Sequence, residues 1–299
     1  MVSSVAVTAH AADPLFAAVD LRVDIDGVPA CDGLTLETKG QRVVVLGAPR
    51  ALFEATTGIA RAVRGTCSVR GVPASVAVTR GIVAGVAMDP PMPPRWTVTE
   101  YVRWSARLAG VPSDLSRTRA DAAIEKLYLG AMAKTELSRV VPHARRATLV
   151  ASALATGAEV IALDDPLGAL ADDVAPDYAK ILVDALDESA WVVFAPRMPL
   201  GSPIAQAADE AIVATSTRVD AAGPPAELAA RERRFVVRIS GPLDAIASAL
   251  SARGVRVEAQ GAHLLFDLGP DVRTSELMDI CARANIAVLE LVPLVRALS

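Results

Sequence analysis

The run Gln41–Leu46 (QRVVVL) is almost wholly apolar and β-branched, the pattern of a strand buried on both faces. A turn at Gly47-Ala48-Pro49 follows, and Ala51–Val63 reads as a helix, so strand, turn and helix make half of a βαβ unit. Ahead of it, residues 16–24 and 32–38 read as short strands around a turn at Asp26-Gly27. Residues 66–80 alternate in the manner of strands. Met88–Pro94 (MDPPMPP) places four prolines in seven residues, which excludes helix and central strand. The capping box Thr97-Val98-Thr99-Glu100 then opens a helix, and further helices are predicted at about Ser116–Ala131 and Ala144–Ala155. Val160–Leu163 is a second buried strand, closing on Asp164-Asp165-Pro166. A helix over Val174–Leu186 and strands over Trp191–Ala195 and Glu210–Ala214 follow. Strands alternating with helices predict an α/β fold with a largely parallel sheet.

At the charged hinge Arg231-Glu232-Arg233-Arg234 the pattern changes. Strand Phe235–Ser240, helix Leu243–Ala252, strands Val255–Ala259 and Leu264–Leu268, helix Ser275–Ala284 and strand Ile286–Leu291 give βαββαβ, the ferredoxin-like order. Two units are therefore expected, residues 1–232 with a helical part at about 95–143, and residues 233–299.

Composition narrows the function classes. With 299 residues and 52% apolar content, a large core is available. A net charge of −4 gives no electrostatic footprint for nucleic acid. Cys31, Cys67 and Cys281 lie far apart, without metal spacing and in odd number, which fits a reducing compartment. Residues 1–14 (MVSSVAVTAHAADP) have only a short apolar run and no Lys or Arg, and read as something other than a secretory leader. No stretch reaches the 18 or so apolar residues that span a bilayer, so the chain is expected to meet a membrane only through a partner.

A phosphate-binding loop, GxxxxGK[ST] between strand and helix, uses main-chain amides, a lysine and a Mg²⁺-binding hydroxyl. The segment in that place is Gly47-Ala48-Pro49-Arg50-Ala51-Leu52-Phe53-Glu54, which keeps one of the four defining residues. Later segments fall in a telling order. Met88-Asp89-Pro90 precedes the Pro-rich stretch, Thr97-Val98-Thr99-Glu100 starts a helix, and Val140-Val141-Pro142-His143-Ala144-Arg145-Arg146 leads into another. Val160–Pro166 (VIALDDP) is followed by Leu167-Gly168-Ala169-Leu170-Ala171, and Ala222–Leu228 (AGPPAEL) closes the series. In order and spacing, residues 18–230 resemble the ATP-binding subunit of ABC transporters: P-loop, Q-loop Gln-Glu-Pro, TVxE helix start, LSGGQ-Arg-Arg signature, Walker B hhhhDEP, D-loop and closing GxPxEL. The C-terminal unit resembles the appendage of ABC-2-type exporter ATPases. The resemblance implies a P-loop NTPase-like ABC ATPase domain, with a mixed sheet, helices on both faces and a helical subdomain, followed by a small α+β ferredoxin-like domain.

Under this resemblance most of the nucleotide-binding positions are altered. The adenine-stacking aromatic falls at Ile25, the lysine at Phe53, the Mg²⁺ hydroxyl at Glu54 and the Q-loop glutamine at Met88. The signature serine falls at Val141 and its following glycine at Pro142, the D-loop aspartate at Ala171 and the switch histidine at Arg197. Asp164 keeps the Walker B carboxylate, while Asp165 shortens the catalytic glutamate by one methylene. Glu54, placed in the first turn of its helix, would complement the dipole where a phosphate otherwise sits. Arg50 reads as a solvated loop arginine, with phosphate binding from a shifted position as the sharper alternative. Arg197 is expected to pair with Asp164 or Asp165, since two adjacent carboxylates without a metal need a counter-charge. Two carboxylates alone make a poor metal site. His143 reads as an exposed structural histidine rather than a pH switch, and His10 and His263 carry no constellation. Trp96, Tyr101 and Trp104 line a partner surface or belong to the core.

Losing one electrostatic contact to a transition state costs about 3–4 kcal/mol, and at least five are altered together. The reading is a catalytically degenerate subunit, a pseudo-ATPase with a structural or regulatory role at the inner face of the cell membrane. Its implied partners are a permease-type membrane subunit and, in a homo- or heterodimer, another ATPase subunit. ATP and Mg²⁺ enter only if the altered site works. The alternatives are a working export ATPase with non-standard residues and an α/β protein adapted to another ligand.

Overall fold

The computed structural model describes residues 13–293 apart from 48, 232–233, 243, 261–262 and 269–271. The leader-like segment through Ala12, His10 among it, lies outside the described residues, as do Ala48, the centre of the charged hinge and Leu243.

The chain begins with the hairpin β1 (Phe16–Ile25) and β2 (Val28–Glu37). Its turn residues Asp26 and Gly27 both have positive φ, 53° and 78°, the type I′ geometry that matches strand twist. There follow β3 (Arg42–Leu46), α1 (Pro49–Thr56), β4 (Arg64–Val69), β5 (Val72–Pro73), α2 (Ala74–Thr79) and β6 (Val83–Val86). Three packed helices come next, α3 (Val98–Leu108), α4 (Ser113–Lys126) and α5 (Pro142–Thr156). Then come β7 (Val160–Asp164), α6 (Ala175–Ala185), β8 (Ala190–Ala195), α7 (Pro203–Ala207), β9 (Glu210–Ala214), β10 (Val219–Gly223) and α8 (Pro225–Arg231).

Strands β10-β9-β3-β8-β7-β6 form a six-stranded sheet, parallel except for β10, and β2-β1-β4-β5 form an antiparallel one. Neighbouring residues of β3 serve opposite cores: Val43 and Val45 join one cluster with Phe16, Leu52 and Phe194, while Val44 and Leu46 join another with Val102, Leu163 and Val193. A strand buried on both faces cannot alternate with polar residues, which is why its sequence is a continuous apolar run. The start of β3 is tied down by β9. Buried Glu210 accepts the amides of Lys39 (2.6 Å) and Gly40 (3.0 Å), and Asp209 accepts those of Gln41 and Arg42.

The C-terminal elements are β11 (Arg234–Ile239), α9 (Asp244–Ala252), β12 (Arg256–Gln260), β13 (His263–Asp267), α10 (Thr274–Arg283) and β14 (Val288–Pro293). Their sheet order, β12-β13-β11-β14, is antiparallel throughout and has the ferredoxin-like arrangement, around a separate core of Phe235, Val237, Ile246, Leu250, Phe266 and Leu277.

Several expectations need correction. Helix α1 ends at Thr56 rather than Val63, because the chain reverses at Gly58 in the left-handed region (φ 71°). Residues 74–79 are helix, not strand: Ala74 and Ala77, one turn apart, are buried together. Helix α4 starts three residues earlier than expected and ends at Lys126, with a 3₁₀ turn at Gly130–Met132. Among the described residues, β6, α7, β10 and α8 are additional to the predicted elements; each is seven residues or fewer, too short to declare a period. The capping box is present as read, with Thr97 and Glu100 satisfying each other's amides. None of the described helices is long and apolar enough to cross a membrane.

Candidate functional site

Leaving β3, the chain turns at Gly47, whose amide donates to the Ala195 carbonyl (3.1 Å), and enters α1. Pro49, the first residue of α1, brings no amide to the loop. Helix α1 is buried on most of its circumference. Leu52 and Phe53 are 0% and 2% exposed, within the core that also holds Val83, Val160 and Phe194. The Phe53 ring lies against Gly85 of β6, its Cζ 3.5 Å from where a Cβ would stand. The lysine position of the resembled family is thus a core position here.

Arg50 and Glu54 take the face that is left. Glu54 is the sixth residue of α1 and lies outside the first turn, which contains no acid. The expected complement to the helix dipole is therefore replaced by a different contact. The Arg50 Nε donates to Glu54 Oε1 at 2.8 Å, with the arginine side chain 64% exposed and the glutamate 17%. Arg50 is consequently solvated as expected, but it is helical and paired rather than a free loop residue.

The end of β7 brings Asp164 within electrostatic reach of this pair, and Asp165 follows it. Burial pushes the Asp164 carboxyl up, aided by the charges of Asp165 and Glu54 and opposed by the Met88 amide and Arg50. Met88 meets the site through its main chain. Asp165 is also pushed up by burial, against Arg146, the Gly168 amide and Arg197 in that order. Its backbone is left-handed (φ 38°), and its amide donates to the Phe194 carbonyl at 2.7 Å. The anticipated contact pair with Arg197 is not among the ion pairs of the described residues. Arg197 sits on an exposed loop after β8, and Arg146 of α5 is the stronger counter-charge. Arg146 donates to the Pro166 carbonyl (3.1 Å), while its neighbour Arg145 approaches Asp89 (3.5 Å) and the Pro90 carbonyl (3.4 Å). These two arginines tie the segments after β6 and β7 to α5. Their adjacency in sequence was the signal for this role.

Val141 is the N-cap of α5, 44% exposed, with no side-chain capping bond and with Pro142 beginning the helix. It brings no hydroxyl, and Pro142 no amide. Ile25 packs on the second core next to the hairpin turn. His143 is half-buried. Trp96 and Trp104 are not core: they are 36% and 42% exposed, 6.2 Å apart, with the Arg107 guanidinium 4.5 Å over the Trp104 ring. Leu108, one turn further along α3, is 82% exposed, and Tyr101 is half-buried.

Phe53, Met88 and Val141 bring neither charge nor hydroxyl, whereas Glu54, Asp164 and Asp165 bring carboxylates, groups that repel phosphate but can ligate Mg²⁺. The retained carboxylates carry a pH signature. A carboxyl whose folded pKa is raised favours the folded state below its unfolded pKa of about 3.9 and loses that contribution as pH rises through the raised value. Asp165→Asn is therefore expected to raise the unfolding midpoint at pH 7, with the gain disappearing as pH falls toward about 4. Asparagine also tolerates the left-handed backbone. Unfolding curves of both proteins across that range check it, and an equal midpoint at pH 7 would contradict the desolvation argument.

No family model matches the chain. The nickel import ATP-binding protein NikO of Rhodobacter capsulatus is 27% identical over 239 residues, 73% of this chain and 92% of that protein. Among solved structures, cbiO1 from Clostridium perfringens, part of the ABC transporter complex cbiONQ, superposes with a TM-score of 0.60 at 20% identity, covering 72% of this chain and 90% of that one. A nucleotide-free ATP-binding cassette from an ABC transporter gives 0.59 at 14% identity over 71% and 91% of the two chains. The chain has the fold of an ABC ATPase domain, and the proteins it is similar to are ATP-binding subunits of ABC transporters.

Proposed function

We propose that this chain is a catalytically degenerate ABC ATP-binding-type subunit, serving a membrane-associated complex as a structural or regulatory component with little or no nucleotide turnover. The observation that carries the reading is the burial of Phe53 at the lysine position together with the Arg50–Glu54 pair at the hydroxyl position. A carboxylate about 4 Å from phosphate oxygens adds repulsion of roughly 4 kcal/mol per unit charge at an effective dielectric of about 20. Val141 and Pro142 remove the donors of the opposite half-site, so pairing with an intact subunit repairs neither composite site.

The exposed pair of Trp96, just before α3, and Trp104 on it, close in sequence to the Met88–Pro94 segment, supports docking to a permease-type membrane subunit. The ferredoxin-like C-terminal unit supports the ABC-2 exporter branch, whereas the relative NikO is named for import. The carboxylates of Asp164, kept, and Asp165, one methylene shorter than glutamate, favour the second reading, a working ATPase with non-standard residues. Titration with Mg-ATP, alone and co-expressed with a candidate permease, separates the two. Absence of binding together with stable co-purification supports the degenerate subunit; micromolar affinity or turnover overturns it.

A further inference from the structure

Helix α3 has two unlike faces. Val98, Val102 and Ala106 are buried in the core, while Trp104, Arg107 and Leu108 are exposed. Leu108 is the most exposed large apolar side chain among the described residues. Trp96 is held just before the helix, its carbonyl accepting the Leu137 amide (2.8 Å), and its ring lies 6.2 Å from that of Trp104. The helix closes in a Schellman turn. The amides of Gly110 and Val111 donate to the carbonyls of Arg107 and Ala106, and Gly110 has φ 87°. An exposed ridge is thereby fixed in place. One exposed apolar side chain is ordinary, but two indoles and a leucine gathered on one helix mark a contact surface. Charge is the second observation. The chain as a whole carries −4, yet the unpaired charges of this ridge are positive. The Arg107 guanidinium lies 4.5 Å over the Trp104 ring, and Arg95 is exposed next to Trp96 in sequence; neither has an ion pair among the described residues. Glu100, the carboxylate of this face, is committed to the helix cap, accepting the amide (2.8 Å) and hydroxyl (2.9 Å) of Thr97.

We propose that this ridge meets an anionic lipid surface directly, with Trp96 and Trp104 at headgroup level, Leu108 at the acyl boundary and Arg95 and Arg107 on lipid phosphates. An indole joins an apolar body to one N–H, which suits the zone between water and hydrocarbon. A guanidinium with no carboxylate partner offers paired N–H donors that match a phosphate, and its stem can lie along apolar surface while the head stays wet. The outer face of a helix is convex, which suits a fluid surface; a protein partner must supply a matching groove. A patch of this size gives weak, reversible attachment rather than an anchor. The proposal goes beyond the permease-docking reading, which uses the same two tryptophans, and it gives α3 a role that needs neither a partner protein nor nucleotide.

The test is flotation of the full chain with vesicles of phosphatidylcholine containing phosphatidylglycerol, against vesicles of phosphatidylcholine alone, with tryptophan emission read on the same samples. The native chain is expected to float with the anionic vesicles, to be released by added salt, and to show emission shifted to the blue. Trp191 is buried, so the shift reports Trp96 and Trp104. Arg107→Gln should weaken binding about fivefold, and Trp104→Ala about tenfold or more. Leu289→Ser, which removes an exposed leucine on β14, should leave it unchanged and serves as the control for apolar exposure elsewhere. Both ridge variants change exposed side chains, and unfolding curves check that they fold as the native chain does. Native binding confined to anionic vesicles and lost in the ridge variants supports the proposal. No binding, equal binding to neutral vesicles, or binding unchanged in both ridge variants overturns it. Co-purification with a permease is the separate arm. If Trp104→Ala abolishes it while the native chain ignores vesicles, the ridge is a protein interface and the lipid proposal alone fails. If vesicles bind as expected and no permease is retained, the lipid proposal stands and the docking reading fails.

Discussion

Gly47→Ala is expected to destabilise the chain by about 3 kcal/mol or more, combining backbone strain of about 1–3 kcal/mol with a steric overlap of similar size. Gly47 has φ 112°, and a Cβ there would lie 1.8 Å from the Ala214 carbonyl oxygen of β9. That carbonyl is main chain in the strand next to β3, so it cannot rotate away as a side chain can. The turn or the β3–β9 pairing must shift instead. The expected readout is a fall of roughly 6–12 °C in the unfolding midpoint of the domain containing β3. A small change would mean that the turn relaxes freely. Gly47 is the one defining glycine that survives in this loop. The structure gives it a reason that involves no phosphate: only glycine permits the close approach of β3 to β9.

The second large effect is expected at Phe53. Phe53→Lys, which places there the lysine of the resembled phosphate loop, should cost about 3–5 kcal/mol, the range for truncating a buried phenylalanine, with a further penalty for any ammonium that fails to reach water. Phe53→Leu, which keeps most of the volume, should cost markedly less. Urea unfolding of the three proteins orders them. The same samples titrated with Mg-ATP should show no binding in the lysine variant, because Glu54 still opposes the phosphates and Pro49 still lacks an amide. A Phe53→Lys protein as stable as the native one, with newly acquired nucleotide affinity, would falsify the assignment of this side chain to the core. Phe53 packs between α1 and β6, so a charged residue there acts on stability as well as on any ligand.

Much of the architecture was legible in local pattern. The β-branched runs at Arg42–Leu46 and Val160–Asp164 announce strands covered on both sides. Asp26-Gly27 announces a hairpin because both residues tolerate positive φ. Thr97 and Glu100 mark the start of α3, since the cap is a contact between residues three apart. These features depend on interactions within one element or across one turn, so the chain encodes them in consecutive residues. The short strand β6 was not legible, for its identity as a strand comes from pairing with β7, more than seventy residues away in sequence.

For the site, the sequence by itself determined the chemistry present: an aromatic ring at Phe53, a carboxylate at Glu54, a thioether at Met88, an aliphatic chain at Val141 and the adjacent carboxylates of Asp164 and Asp165. Only the tertiary structure decided how those residues are used. Arg146, not Arg197, is the main counter-charge of Asp165 because α5 delivers it across the Pro166 turn, and ion-pair strength depends on distance in space. Glu54 pairs with Arg50 because α1 begins at Pro49, which sets the two one turn apart instead of leaving Glu54 at the helix start. Phe53 is core while Trp96 and Trp104 are surface, although all three are large and apolar. Burial is a property of what packs against a side chain from elsewhere in the chain, and it is fixed only when the elements assemble.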